Sequence, residues 1–237
     1  MPFHTSRTTR ARRVLGAVAV TGVIAGVAPS AAGAKIIELG QTAERPTPSC
    51  PAKPCLAVSR TTGYQAKIGE SREIFVAPRR GKIVAWTVQL GAPTKKQIKF
   101  FNTTLGGAAS AGISVFRPEK NLRGIITGQS PVMPLKDYLG ETVQFPLSTS
   151  LTVKKGYKVA LTVPTWAPAL AVGFPATTSW RASRTEDQCD DTQTQTAVRK
   201  LGTETQFRCL YKTARLTYTV TMVTDPHGPP KKKKKSD

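Results

Sequence analysis

An all-β fold, a two-sheet antiparallel β-sandwich of jelly-roll type with short loops, is what this sequence predicts, and three observations predict it. Short segments of alternating apolar and polar residues recur from about residue 63 onward, separated by Gly- and Pro-containing turns. No amphipathic helical pattern of useful length appears after residue 34. One apolar and one polar face per segment implies antiparallel sheets that each bury one side and leave the other wet.

The first 34 of the 237 residues read as an export signal. Arg7, Arg10, Arg12 and Arg13 precede an apolar run over residues 14–28, and Ala32-Gly33-Ala34 forms a cleavage site. The run is shorter than the about 20 residues a membrane span needs. Residues 1–34 are thus predicted to be a signal peptide, and the protein to be secreted or otherwise extracytoplasmic. Sec and twin-arginine routes stay open, because Arg12-Arg13 form a pair but Ala11 stands where Ser or Thr is usual. Residues 35–62 are expected to be a Pro-rich N-terminal segment, 63–225 the sandwich, and 226–237 a disordered basic tail.

Within the sandwich, residues 82–90 alternate Val84, Trp86, Val88 and Leu90 against Ile83, Ala85, Thr87 and Gln89. Residues 97–101 and 112–116 read as two strands across a Gly- and Ala-rich loop, and 122–127 as a further one. Residues 151–153 and 157–163, joined by Lys154-Lys155-Gly156, read as a hairpin. The cleanest strand sets Leu216, Tyr218, Val220 and Met222 on one face and Thr217, Thr219 and Thr221 on the other.

Four cysteines, Cys50, Cys55, Cys189 and Cys209, follow the export segment. An even number in an exported chain points to disulfides. Of the three pairings, the local one, Cys50–Cys55 with Cys189–Cys209, is the simplest. The second bridge closes a loop near twenty residues, for which chain entropy gives about 3 kcal/mol. A redox role is disfavoured for the first pair because its spacing is not C-x-x-C.

Removing the four Arg of the signal leaves 31 basic residues against 14 acidic ones, about +17 for the remainder. A basic exported body attracts anionic partners: acidic polysaccharide, anionic lipid or nucleic acid. No reading helix or aromatic-basic stacking motif supports specific nucleic-acid recognition. Lys231, Lys232, Lys233, Lys234 and Lys235 are candidates for peripheral attachment to an anionic surface.

Histidine is the sharpest negative signal. His4 lies in the signal and His227 in the predicted tail, so the folded body has none. This excludes Ser-His-Asp and Cys-His catalysis and His-ligated zinc, and an enzyme is not expected. Paired carboxylates remain: Glu70 with Glu73, Asp137 with Glu141, and the group Glu186, Asp187, Asp190 and Asp191. That last group is also the one candidate for calcium, with pairing to Arg181, Arg184 or Arg199 as the alternative. No other cofactor is called for.

Trp86 sits mid-strand and reads as core. Trp166 and Trp180, followed by Arg181 and Arg184, form the candidate ligand-contact surface, since exposed aromatics stack on sugar rings and Arg bonds hydroxyls or carboxylates. Tyr138 and Tyr211 are further candidates, and lids over the core are the alternative for all of these rings.

Five words follow one another along the chain: Gly-Lys-Ile-Val-Ala-Trp, Ile-Ser-Val-Phe-Arg-Pro, Thr-Trp-Ala-Pro-Ala-Leu, Ser-Trp-Arg-Ala-Ser and Cys-Leu-Tyr-Lys-Thr-Ala-Arg-Leu-Thr-Tyr. On these words residues 81–224 resemble a set of exported actinobacterial jelly-roll proteins. The resemblance implies fold and export and carries over no functional residue. The expected function is a secreted, non-enzymatic module that binds a glycan or another anionic envelope polymer. A carboxylate-dependent glycan-cleaving enzyme and a structural or assembly protein of the cell surface are the alternatives.

Overall fold

The computed structural model describes residues 33–226. The predicted signal peptide, but for its last two residues, and the lysine tail from residue 227 on lie outside them. Eight strands make the frame: β1 (Ile36–Leu39), β2 (Val58–Lys67), β3 (Gly81–Gln89), β4 (Ser110–Pro118), β5 (Arg123–Gln129), then past the short β6 (Met133–Pro134), β7 (Thr142–Val153), β8 (Lys158–Ala167) and the last strand, Tyr218–Thr224. Between β8 and that last strand come β9 (Leu170–Val172), β10 (Ser179–Ala182), β11 (Glu204–Gln206), β12 (Cys209–Lys212) and β13 (Ala214–Leu216), which makes the last one β14.

One sheet has the order β1-β14-β3-β7, and the other has β5-β4-β8-β2 at its centre, extended by β11 at one edge and by β10 and β12 at the other. All the strand pairs are antiparallel. Counted in chain order, the frame strands run first-eighth-third-sixth in one sheet and second-seventh-fourth-fifth in the other, which is the jelly roll. The predicted fold class therefore holds.

Because the chain changes sheet at almost every step, neighbours in sequence seldom pair. The segment read as a hairpin over 151–163 corrects accordingly: β7 pairs with β3, and β8 with β2 and β4. Gly156, at φ +83°, turns the chain from one sheet to the other. Alternation reports which face of a strand is apolar, and that is the same for a hairpin as for an arch between sheets.

Residues 97–101 correct from strand to helix. Helix α1 (Lys95–Thr104) starts at a capping box in which the Gln97 backbone N–H donates to Thr94 Oγ1 at 3.3 Å and the Thr94 N–H donates to Gln97 Oε1 at 2.7 Å. In β3 the register slips between Ile83 and Ala85, so Ile83 and Trp86 both point inward and Val84 does not. The N-terminal segment also corrects. β1 is an edge strand of the sandwich paired to β14, and β2 already begins at Val58.

The core between the sheets is built from Ile83, Trp86, Val88, Ile113, Val115, Leu161, Val163, Tyr218, Val220 and Met222. Both disulfides have the expected pairing, Cys50–Cys55 and Cys189–Cys209. Two such bridges fit an oxidising, extracytoplasmic environment. Among the described residues no helix is long and apolar enough to cross a membrane.

The two outer faces are treated differently. From β10 the chain crosses the outer face of the larger sheet, pairs as β11 with β5 at the far edge, and returns to β12 beside β10. Beneath this excursion Tyr64, Phe116, Ile126 and Phe207 form a second apolar cluster. Against the outer face of the smaller sheet, segment 40–46 and Arg215 of β13 border a cleft.

Candidate functional site

The cleft lies on that second face. Thr219, Thr87 and Gln144 stand opposite one another across β14, β3 and β7, and Gln89 stands opposite Thr142. The floor is thus a row of hydroxyls and amides, tied loosely by Gln144 Nε2 donating to Thr87 Oγ1 at 3.3 Å and to Thr221 Oγ1 at 3.4 Å. Segment 40–46 forms the wall, and the space between has a volume of about 220 Å³.

Gly40 sets the wall's angle. Its φ is +88°, and a Cβ there would sit 2.2 Å from Cζ of Phe75, so both backbone conformation and space call for glycine. The Gly40 N–H donates to the Ile74 carbonyl at 2.9 Å, while its own carbonyl accepts from Arg215 Nη2 at 3.2 Å.

Arg215 is the unusual residue of the cleft. It sits in β13, opposite Ala171 of β9, lines the cleft, and is only 7 % exposed. Burial lowers its pKa from the ordinary arginine value, yet a guanidinium stays protonated. The bond to Gly40 is its one hydrogen bond among the described residues, and no carboxylate there lies within ion-pair distance of it. A nearly buried cation without a counter-charge carries a desolvation cost of roughly several kcal/mol, which an anionic ligand would offset. Glu38, Glu44 and Arg45 also line the cleft and are exposed.

The sequence-predicted contact residues lie elsewhere, and none of them forms an exposed surface. Trp166 is 1 % exposed; its Nε1 donates to Asn102 Oδ1 at 3.0 Å and to the Gly107 carbonyl at 2.9 Å, and its ring meets Phe101 at 4.8 Å. It fastens α1 to the sandwich. Trp180, 4 % exposed, stacks on Tyr211 with centroids 4.4 Å apart and lies over Gly63, where a Cβ would come within 2.8 Å of its ring. Arg184 is buried as well, donating to the Cys189 carbonyl, to Tyr211 Oη and to the Ser59 carbonyl at 3.1, 2.7 and 2.6 Å. Arg181 is half-buried and holds the Phe207 and Arg208 carbonyls at 3.1 Å each. Trp180, Arg181 and Arg184 brace the excursion at its base and Trp166 holds α1, which corrects the assignment of all four as a ligand surface. Tyr138 packs edge-on against Phe145.

The acidic loop is also partly committed. Glu186 pairs with Arg208 at 2.9 Å. Asp191 accepts from the side-chain hydroxyl and backbone N–H of Thr194 and from the N–H of Gln193, and these bonds lower its pKa to about 2. Asp187 and Asp190 stay exposed. Among the described residues no three His, Cys, Asp or Glu side chains converge as a metal site.

Sequence reasoning missed Arg215 and the pair Glu38 and Glu44. Arg215 occupies a wet-face position in the alternation around Leu216, and only the fold brings segment 40–46 over it. No protein-family model matches this chain, and neither a curated protein nor a solved structure is significantly similar to it.

Proposed function

We propose that the protein is a non-catalytic binding module that takes carboxylate-bearing sugar residues of an anionic envelope glycan into the Arg215 cleft. The observation that carries this reading is the nearly buried guanidinium of Arg215, which has no acidic partner among the described residues and lines a cleft floored by hydroxyls and amides. A guanidinium fork matches a carboxylate in a bidentate pair, and Thr and Gln side chains match ring hydroxyls. The basic body adds long-range attraction for such a polymer, which salt screens.

The test is retention on an acidic polysaccharide and on its carboxyl-reduced form at low salt. The expected result is binding to the first, weak binding to the second, and a loss of about tenfold or more in Arg215→Gln, as for a charge-assisted pair. Equal retention of both polymers by wild type would refute the reading. One observation favours a second reading: Glu38 and Glu44 line the same cleft, and paired acids flanking a glycosidic bond cleave it. Release of reducing ends that disappears in both Glu38→Gln and Glu44→Gln would establish cleavage instead.

A further inference from the structure

Helix α1 lies in the β3–β4 connection and carries a feature that the cleft does not use. Its 100° per-residue rotation places Lys95, Lys99, Lys96 and Phe100 on one continuous face, and all four are exposed. Ile98 and Phe101 turn the other way; Phe101 packs against Trp166, whose indole N–H bonds Asn102 at the end of the helix. The exposed face is therefore held at a fixed orientation.

Two aspects of this face oppose stability. Lys95 and Lys96 occupy the first turn, at the positive end of the helix dipole, and no acidic residue is present there. None of the three lysines is in an ion pair among the described residues. Phe100 is 61 % exposed, whereas Phe101 beside it is 6 % exposed. The disulfide loop adjoins the helix, with Gln97 Nε2 donating to the Pro51 carbonyl at 3.2 Å.

We propose that this face docks the protein on an anionic lipid bilayer, with Lys95, Lys96 and Lys99 at the headgroup phosphates and Phe100 at the acyl boundary. Unpaired cations select an anionic surface. Phe100 favours a bilayer as the anionic surface, because its whole ring can leave water there, whereas stacking on a sugar covers one face only.

A Phe100→Trp reporter in the purified full chain tests the proposal, read against vesicles of phosphatidylglycerol with brominated phosphatidylcholine. Quenching of the added indole is the expected result. It requires contact with lipid at position 100, so attachment through any other part of the chain does not mimic it. Adding Lys95→Gln, Lys96→Gln and Lys99→Gln is expected to weaken partitioning on the order of 100-fold. These side chains are exposed, and an unchanged near-ultraviolet signal from the three native tryptophans verifies folding. Three outcomes overturn the proposal: vesicle binding without quenching, equal quenching on zwitterionic vesicles, or a spectral change with anionic polysaccharide and none with vesicles. Arg215→Gln is expected to leave the quenching unchanged, so failure of the cleft reading and failure of this one are separable.

Discussion

The two sheets of this jelly roll share one core but differ in what they do with their outer faces. The larger sheet is buried on both sides: the excursion between β10 and β12 lays Phe207 onto Tyr64 and Phe116, with ring centroids 5.1 and 4.5 Å apart. The smaller sheet presents threonines and glutamines to the solvent and to the cleft. A covered face is specified by packing and tolerates little change. An open face is free to be specified by a ligand. The difference places the candidate site on the less covered face.

The most damaging way to break this contrast is Phe207→Ala. Phe207 is fully buried under the excursion, so removing its ring leaves a cavity between Tyr64 and Phe116 and should cost about 3–5 kcal/mol. Urea unfolding measures it. A loss below about 1 kcal/mol would mean that the excursion lies on the sheet without contributing to its stability.

A smaller effect comes from Asp191, which shapes the loop within the excursion through its bonds to Gln193 and Thr194. Its folded pKa, about 2, lies below the ordinary value of 3.8, so the carboxylate is favoured in the folded state. The linked stability is fully present above the unfolded pKa and is lost as pH falls through the folded one, here between about pH 4 and pH 2. Protection of the 193 and 194 amides, taken relative to their intrinsic exchange at each pH, should fall across that window, and Asp191→Asn should remove that change. Protection that stays constant across the window in wild type would dissociate Asp191 from the ordering of the loop.

How much of this was legible in the sequence follows the same division. β3 and β14 were readable because each has one apolar face, although the slip at Val84 in β3 was not. The pairing of strands was unreadable: each strand's pattern records burial and not its neighbour, so the 151–163 arch looked like a hairpin. Helix α1 carried a readable mark in Thr94 and Gln97, outweighed by the short apolar group Ile98, Phe100 and Phe101, whose spacing serves a strand or a helix equally in so short a window. The site was the least legible part. Trp166 and Trp180 read as a contact surface because aromatics with arginines beside them suit a sugar, yet Asn102 and Gly107 satisfy the indole N–H of the first, and Gly63 makes room for the second. Arg215 depends on a segment more than a hundred residues away, and nothing local records that contact.

The smallest expected effect on stability sharpens the contrast most. Thr87 is half-buried on the cleft floor, and its hydroxyl accepts one long bond from Gln144. Thr87→Val keeps the β-branched shape that suits β3 and removes only that hydroxyl, so stability should move by no more than about 0.5 kcal/mol. Affinity for an acidic glycan should nonetheless fall, because the hydroxyl faces the space that Arg215 lines. Thermal unfolding and polysaccharide retention on the same sample separate the two quantities. A variant that unfolds as easily as Phe207→Ala would show that the smaller sheet depends on its outer face as the larger one does. Unchanged stability with reduced retention would establish that the open face is kept for binding.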